Sequence, residues 1–326
     1  MDKRAARIAA ARVTQRPPQK IATIVRPVAP PKPTPLKPTP PKPTPLKPTP
    51  PKPTVPVPVV VAPPPVLAPT GLVRSLLIGI NYNNTTYQLD GCINDVLNMK
   101  DNLEVLYPMC KDYRVITDNT VVKPTKENIL KSIDWLVSGL QPGQNVYFHF
   151  SGHGGLVRDK TGDEVTGLDS CLYPIRDGRL ETLLDDELRA ALAMRVPAGC
   201  KCFVVLDCCH SGTAVDLRCD WKANSRESIV YKENPAYPKT PGNIIFLSGC
   251  QDPQEAADTV DKNGRPCGAM TMALLATWTT YGAAIKTKYL LWDIHHFLRV
   301  NGYSQIPQLS TGYFIDINSV FNLGTA

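Results

Sequence analysis

The first 70 residues contain no glycine, no cysteine and one acidic residue, Asp2, yet they hold 22 of the chain's 33 prolines and 12 of its 36 Lys+Arg side chains. That segment carries +11, whereas the other 256 of the 326 residues carry −4. The formal net charge of +7 belongs to one end. The part able to bury a core is mildly acidic, which excludes a basic, nucleic-acid-coating domain. Its length suits one large domain rather than two small ones.

Charge-free runs are rare, and the longest, from Pro53 to Val73, is interrupted by seven prolines. Proline strips a helix of its hydrogen bonds, so this run is not a membrane span. The first 26 residues are Arg-rich and nearly free of acid, as transit peptides are, but they lack serine and run into prolines. All ten cysteines lie beyond residue 70, irregularly spaced, with Cys208 and Cys209 adjacent and no secretory signal ahead of them. A disulfide framework is not expected, and a reducing, cytoplasmic setting is.

From Pro31 the unit PKPTPLKPTP occurs twice in tandem and continues as PKPT at 51–54. Such spacing favours extended polyproline II and prevents helix or sheet pairing. It reads either as a stiff, solvated spacer or as a ligand for SH3-like or WW-like domains. Residues 1–73 are accordingly expected to form a disordered, basic, Pro-rich extension, and 74–326 an ordered domain starting with the apolar strand at Arg74.

Within that domain, helical periodicity from Cys92 to Leu106, a helix capped by Thr125 and running through Val137, and helices over 186–194, 269–280 and 290–300 alternate with strands. The strands are expected over 113–117, 145–150, 201–206 and 243–247. This alternation predicts a layered α/β fold with a mainly parallel sheet, whose chemistry gathers at the carboxyl ends of the strands.

Two strand ends are unusual. One runs from Val146-Tyr-Phe-His-Phe150 into Ser151-Gly-His-Gly-Gly155, the other from Phe203-Val-Val-Leu206 into Asp207-Cys-Cys-His-Ser-Gly212. Of only five histidines, His153 alone sits among glycines past a strand end. A cysteine at a neighbouring strand end could be activated there as a thiolate. The alternatives are a loop histidine without a role and cysteines that pack as small apolar groups. Zinc is a weaker reading, because Cys200, Cys202, Cys208, Cys209 and His210 contain no C-x-x-C pair.

With the leading Leu-Leu-Ile-Gly-Ile-Asn81 and Asp90-Gly-Cys-Ile-Asn-Asp95, these motifs resemble those of a metacaspase from about Arg74 to near the C-terminus. The Pro-rich extension is similar to that of the type I group. The resemblance implies a caspase-like sandwich, with a mainly parallel central sheet flanked by helices, and a cysteine endopeptidase cutting after Arg or Lys. It assigns Cys209 as nucleophile and His153 as base, and it offers Gly154 N–H with Cys209 N–H as oxyanion donors. Cys208, by strand alternation, points the other way.

By the same resemblance, Cys92, Asp95, Ser151 and Asp207 line an acidic substrate pocket, although Asp95 could simply be an acid at a helix N-terminus. Asp169, Asp185, Asp186 and Asp216 match calcium ligands; read alone, they could be a helix cap and solvated surface. Residues 218–242 read as a long polar connection with five basic side chains. By the resemblance, calcium-dependent self-cleavage is expected in a later loop, at Lys262.

The expected partners are protein substrates with Arg or Lys at the cut, and the expected state is a monomer, with neither nucleic acid nor membrane bound. A caspase cutting after Asp is disfavoured by Asp95 and Asp207. A non-proteolytic scaffold docking through its tail is the reading from a different class. Every Lys of the repeat precedes a proline, so the repeat should resist an Arg/Lys-directed protease.

Overall fold

The structure, a computed structural model, describes residues 70–158, 168–208, 215–249, 258–260, 264–282 and 284–324. The chain begins with β1 (Gly71–Gly79), α1 (Cys92–Leu106), β2 (Asp112–Thr117), α2 (Lys126–Val137) and β3 (Gln144–Ser151). Short strands follow, β4 (Gly154–Arg158), β5 (Leu168–Leu172), β6 (Ile175–Arg176), β7 (Arg179–Leu180) and β8 (Leu183–Leu184), then α3 (Asp185–Ala191) and a 3-10 turn at Ala193–Arg195. Next come β9 (Lys201–Asp207), β10 (Cys219–Ala223), β11 (Ile229–Glu233), β12 (Asn243–Ser248), β13 (Asp258–Val260) and β14 (Pro266–Gly268). The chain closes with α4 (Ala269–Tyr281), β15 (Ile285–Lys286), α5 (Thr287–Val300), β16 (Gln308–Thr311) and β17 (Val320–Phe321).

Eight strands form the central sheet in the order β11-β10-β16-β12-β9-β3-β1-β2. The run β12-β9-β3-β1-β2 is parallel throughout, and β16, β10 and β11 extend it antiparallel at one edge. Parallel strands are covered on both faces, which is why they read as unbroken apolar runs such as Phe203-Val-Val-Leu206. The two-residue period then sorts side chains between two cores. Leu76, Ile78, Phe148, Phe150, Val204, Leu206 and Phe246 pack with Ile129, Ile133 and Leu136 of α2 and Leu188 of α3. Leu77, Tyr147, Phe203, Val205, Ile245 and Leu247 pack with α1, α4 and α5 on the opposite face.

The helices hold their places mainly through packing. Val96, Met99 and Leu103 of α1 are fully buried, worth about 1.5–3 kcal/mol each. That outweighs the missing side-chain cap at Gly91, since glycine at an N-cap costs only about a few tenths of a kcal/mol. Asn81 compensates from β1's exit, its Oδ1 accepting from Ile93 N at 3.0 Å. Thr125 caps α2 as its sequence predicts, accepting from Asn128 N at 3.2 Å.

Two expectations are corrected. The first strand starts at Gly71 rather than Arg74, with Gly71 N donating to Gly143 O at 2.8 Å. The uncharged run through Val73 conceals that start. Residues 218–242 are not a plain polar connection, because β10 and β11 form a hairpin on the sheet edge. Cys219, Trp221 and Ala223 alternate inward, and Trp221 lies 5.0 Å from Tyr231 and 5.4 Å from Phe314.

Candidate functional site

The parallel register places Ser151, the last residue of β3, beside Asp207, the last of β9. By alternation both side chains face the layer containing α1 and α4. Asp95, in the first turn of α1, meets them there, its Oδ2 accepting from Ser151 Oγ at 2.7 Å. Asp95 and Asp207 are only 1% and 5% exposed. Cys92, one helical turn before Asp95, is buried as well.

The segment joining β14 to α4 runs between these carboxylates. Gly268 N donates to Asp95 Oδ1 at 2.9 Å, and Thr271 N donates to Asp207 Oδ2 at 2.8 Å. A Cβ on Gly268 would overlap Asp207 Oδ2 and come within 3.0 Å of Asp95 Oδ2. Gly268 has φ −74° and ψ 139°, open to any residue, so the glycine is required by space and not by conformation. Two desolvated carboxylates this close repel unless a cation joins them. From the outer side a cleft of about 690 Å³ between α1 and α4 reaches Asp95, with Asn98, Asp101, Arg265 and Thr271 among its walls.

His153 follows β3 at the same sheet end. Its Nε2 lies 2.8 Å from the carbonyl oxygen of Tyr87. A carbonyl only accepts, so Nε2 carries the proton and Nδ1 is left for proton transfer. Tyr82 packs against the imidazole with ring centroids 4.7 Å apart, and its phenol oxygen accepts from His153 N at 2.8 Å. Gly154 opens β4. Cys209 and Lys262 lie outside the described residues. Cys208, next to Cys209 in sequence, is buried with Leu206 and Val204 in the core beneath α2.

On the same face of β3 as Ser151, the buried His149 sits between Tyr147 Oη at 3.1 Å and Thr271 Oγ1 at 3.4 Å. Burial pulls its pKa down to about 3.

The four acids matched to calcium ligands come from β5, α3 and the segment after β9. Asp185 Oδ2 accepts from Ser170 N at 2.7 Å and Oδ1 from Asp186 N at 2.9 Å. Burial pushes the Asp185 carboxyl up to about 7, with Asp169 and Asp186 adding to the rise. Asp216, at φ 42°, has its carbonyl bound by Arg189 Nε of α3 at 3.1 Å. The donors are hard oxygens of the kind calcium takes, and three of them repel one another. As the side chains stand, no group of three or more His, Cys, Asp or Glu among the described residues is gathered closely enough to hold a metal ion.

Sequence reading missed Tyr82, Tyr87, Gly268 and Thr271. Gly268 lies 173 positions from its partner Asp95, and nothing local announces the pairing. The Gly-Ile-Asn-Tyr82 exit from β1 was visible, though not the left-handed conformation of its tyrosine.

The metacaspase, peptidase C14 domain family matches residues 73–218. Metacaspase-1 of Schizosaccharomyces pombe is 33% identical over 296 residues, covering 76% of this chain and 69% of that protein. Metacaspase-5 of Trypanosoma brucei brucei is 33% identical over 269 residues, covering 78% of this chain and 53% of that protein. Protein GSU0716 of Geobacter sulfurreducens shares the fold, with a TM-score of 0.57 at 22% identity over 79% of this chain and 99% of its own. Sheet, strand-end motifs and relatives together define a caspase-like cysteine peptidase, a hydrolase acting on protein substrates. The chain belongs to the metacaspase family. Among the described residues no helix is long and apolar enough to cross a membrane.

Proposed function

We propose that this protein is a calcium-dependent cysteine endopeptidase that cleaves after Arg or Lys through a dyad of His153 and Cys209. The observation that carries the specificity is the pair of buried carboxylates, Asp95 and Asp207, flanking Gly268 beside Ser151. A P1 guanidinium or ammonium is complementary in charge to this pair. An Asp side chain at P1 would add a third negative charge.

The dyad reading is supported by register. β3 and β9 run side by side to Ser151 and Asp207, and His153 and Cys209 each follow two residues later. The Cys209 thiolate attacks the scissile carbonyl carbon, and the C–N bond breaks as His153 protonates the departing amine. Water, deprotonated by His153, then hydrolyses the thioester and restores the thiol. Backbone N–H groups of Gly154 and Cys209 stabilise the oxyanion.

Asp169, Asp185, Asp186 and Asp216 would hold calcium, which supplies charge neutralisation and orders the neighbouring segments. Lys262 is the proposed self-cleavage site. A monomer in the reducing cytoplasm suits eight buried cysteines among the described residues. The test is hydrolysis of short fluorogenic peptides ending in Arg, Lys or Asp, with and without calcium. Turnover of the Asp peptide alone would reject the specificity.

A further inference from the structure

The exit from β1 holds the imidazole of His153 at two points. Tyr82 is completely buried, and its phenol makes two hydrogen bonds, accepting from His153 N at 2.8 Å and donating to Tyr173 O at 2.8 Å. Tyr173 N in turn donates to His153 O at 3.1 Å, which closes a ring of bonds around the His153 peptide. Five residues on from Tyr82, the carbonyl of Tyr87 takes the Nε2 proton. The backbone of His153 and its ring are therefore both set by the segment between Asn81 and Leu89.

That segment is itself pinned. Leu89 N donates to Asn81 O at 2.8 Å, and Asp118 accepts from Asn81 N at 2.6 Å and from Asn83 N at 3.2 Å. Tyr82 sits at φ 53°, a left-handed conformation that is uncommon for a bulky side chain and is retained only where the surroundings fix it. Thr85 Oγ1 donates to Tyr82 O at 2.7 Å and does so here. Gly152 leaves room for the phenol, since a Cβ there would lie 2.8 Å from the Tyr82 oxygen. Burial raises the phenol's pKa, so it stays protonated and able to donate. Cys92, Cys208 and Asp118 are the other ionisable groups near it.

We infer that Tyr82 is a positioning residue for catalysis, which holds His153 through the His153 N–H and ring so that Nδ1 faces the nucleophile. The inference rests on the His153–Cys209 dyad proposed above. Tyr82 never touches substrate. It acts through the imidazole, and misplacement of a reacting group by about 1 Å costs up to about a hundredfold in rate.

The experiment is the pH dependence of iodoacetamide labelling at Cys209, read by peptide mass spectrometry on the full chain without substrate, for wild type, Tyr82→Phe and His153→Ala. Loss of imidazolium pairing lowers the thiolate fraction. His153→Ala should thus move the labelling midpoint to higher pH, and Tyr82→Phe should move it the same way by a smaller step. In the peptide assay Tyr82→Phe should lower kcat about tenfold with KM held within about twofold. If Tyr82→Phe does not fold, a fluorotyrosine at position 82 alone keeps the shape and weakens the phenol oxygen as an acceptor, and the same shift is expected. An unmoved profile for the Tyr82 variant beside a shifted His153→Ala profile overturns the inference and leaves the dyad standing. Unmoved profiles for both overturn the dyad itself.

Discussion

The hydroxyl of Ser151 donates to Oδ2 of Asp95 at 2.7 Å, joining the carboxyl end of β3 to the first turn of α1 across 56 residues. This bond fixes Asp95 in place, and Asp207 on the neighbouring strand stands across Gly268 from it, as the two walls of the proposed acidic pocket. Each carboxylate also takes a backbone N–H from Gly268 or Thr271, so both are held in place before any substrate arrives.

Asp95→Asn keeps the shape that Ser151 and Gly268 bind but removes one charge. Loss of one partner from a desolvated ion pair costs about 2–5 kcal/mol. Cleavage after Arg should fall at least about 30-fold in kcat/KM. Measured kcat/KM within about threefold of wild type would rule out Asp95 as a substrate contact.

Gly268→Ala places a methyl group against both carboxylates on a backbone that accepts it. Overpacking of this kind costs about 1–3 kcal/mol. A lower melting temperature and a raised KM for the Arg peptide should appear together. An unchanged KM would show that Asp207 can shift without consequence for binding.

His149 is neutral when folded, its pKa lowered to about 3 by burial. Between that value and about 6.5 the unfolded chain binds one more proton than the folded chain, so stability falls as pH falls through this window, by about 1.4 kcal/mol per pH unit. Denaturant melts of wild type and His149→Gln should diverge below pH 6.5, the variant having the flatter acid limb. Parallel curves would mean that His149 titrates freely.

Calcium should bind through Asp169, Asp185, Asp186 and Asp216. Calorimetric titration should show binding by Cys209→Ala that Asp186→Ala loses, and EGTA should suppress peptide turnover. Mass spectrometry after incubation with calcium should show a cut following Lys262. Full turnover in chelator would remove calcium from the account.

Much of the fold was readable because it depends on local chemistry. Cys92 to Leu106 carries its helical period in plain view, Thr125 is a cap of ordinary type, and the parallel strands are apolar on both faces. The hairpin at 219–233 was hidden because its outer strand is exposed at four of five positions and lacks an alternating pattern. The acidic pocket was half legible. Asp95 and Asp207 stand beside recognisable motifs, whereas Gly268 and Thr271 reach them only through tertiary folding. Tyr82 escaped notice because a left-handed tyrosine has no sequence mark, its conformation being imposed by Asp118 and Thr85 from outside.

The most direct test of the central claim is hydrolysis of an Arg-ended fluorogenic peptide by the full chain in calcium, set against Cys209→Ala and against the same peptide ending in Asp. Turnover of the Arg peptide by wild type, with none by Cys209→Ala and none of the Asp peptide, is the predicted result. Equal turnover by Cys209→Ala, or a preference for Asp, would contradict it.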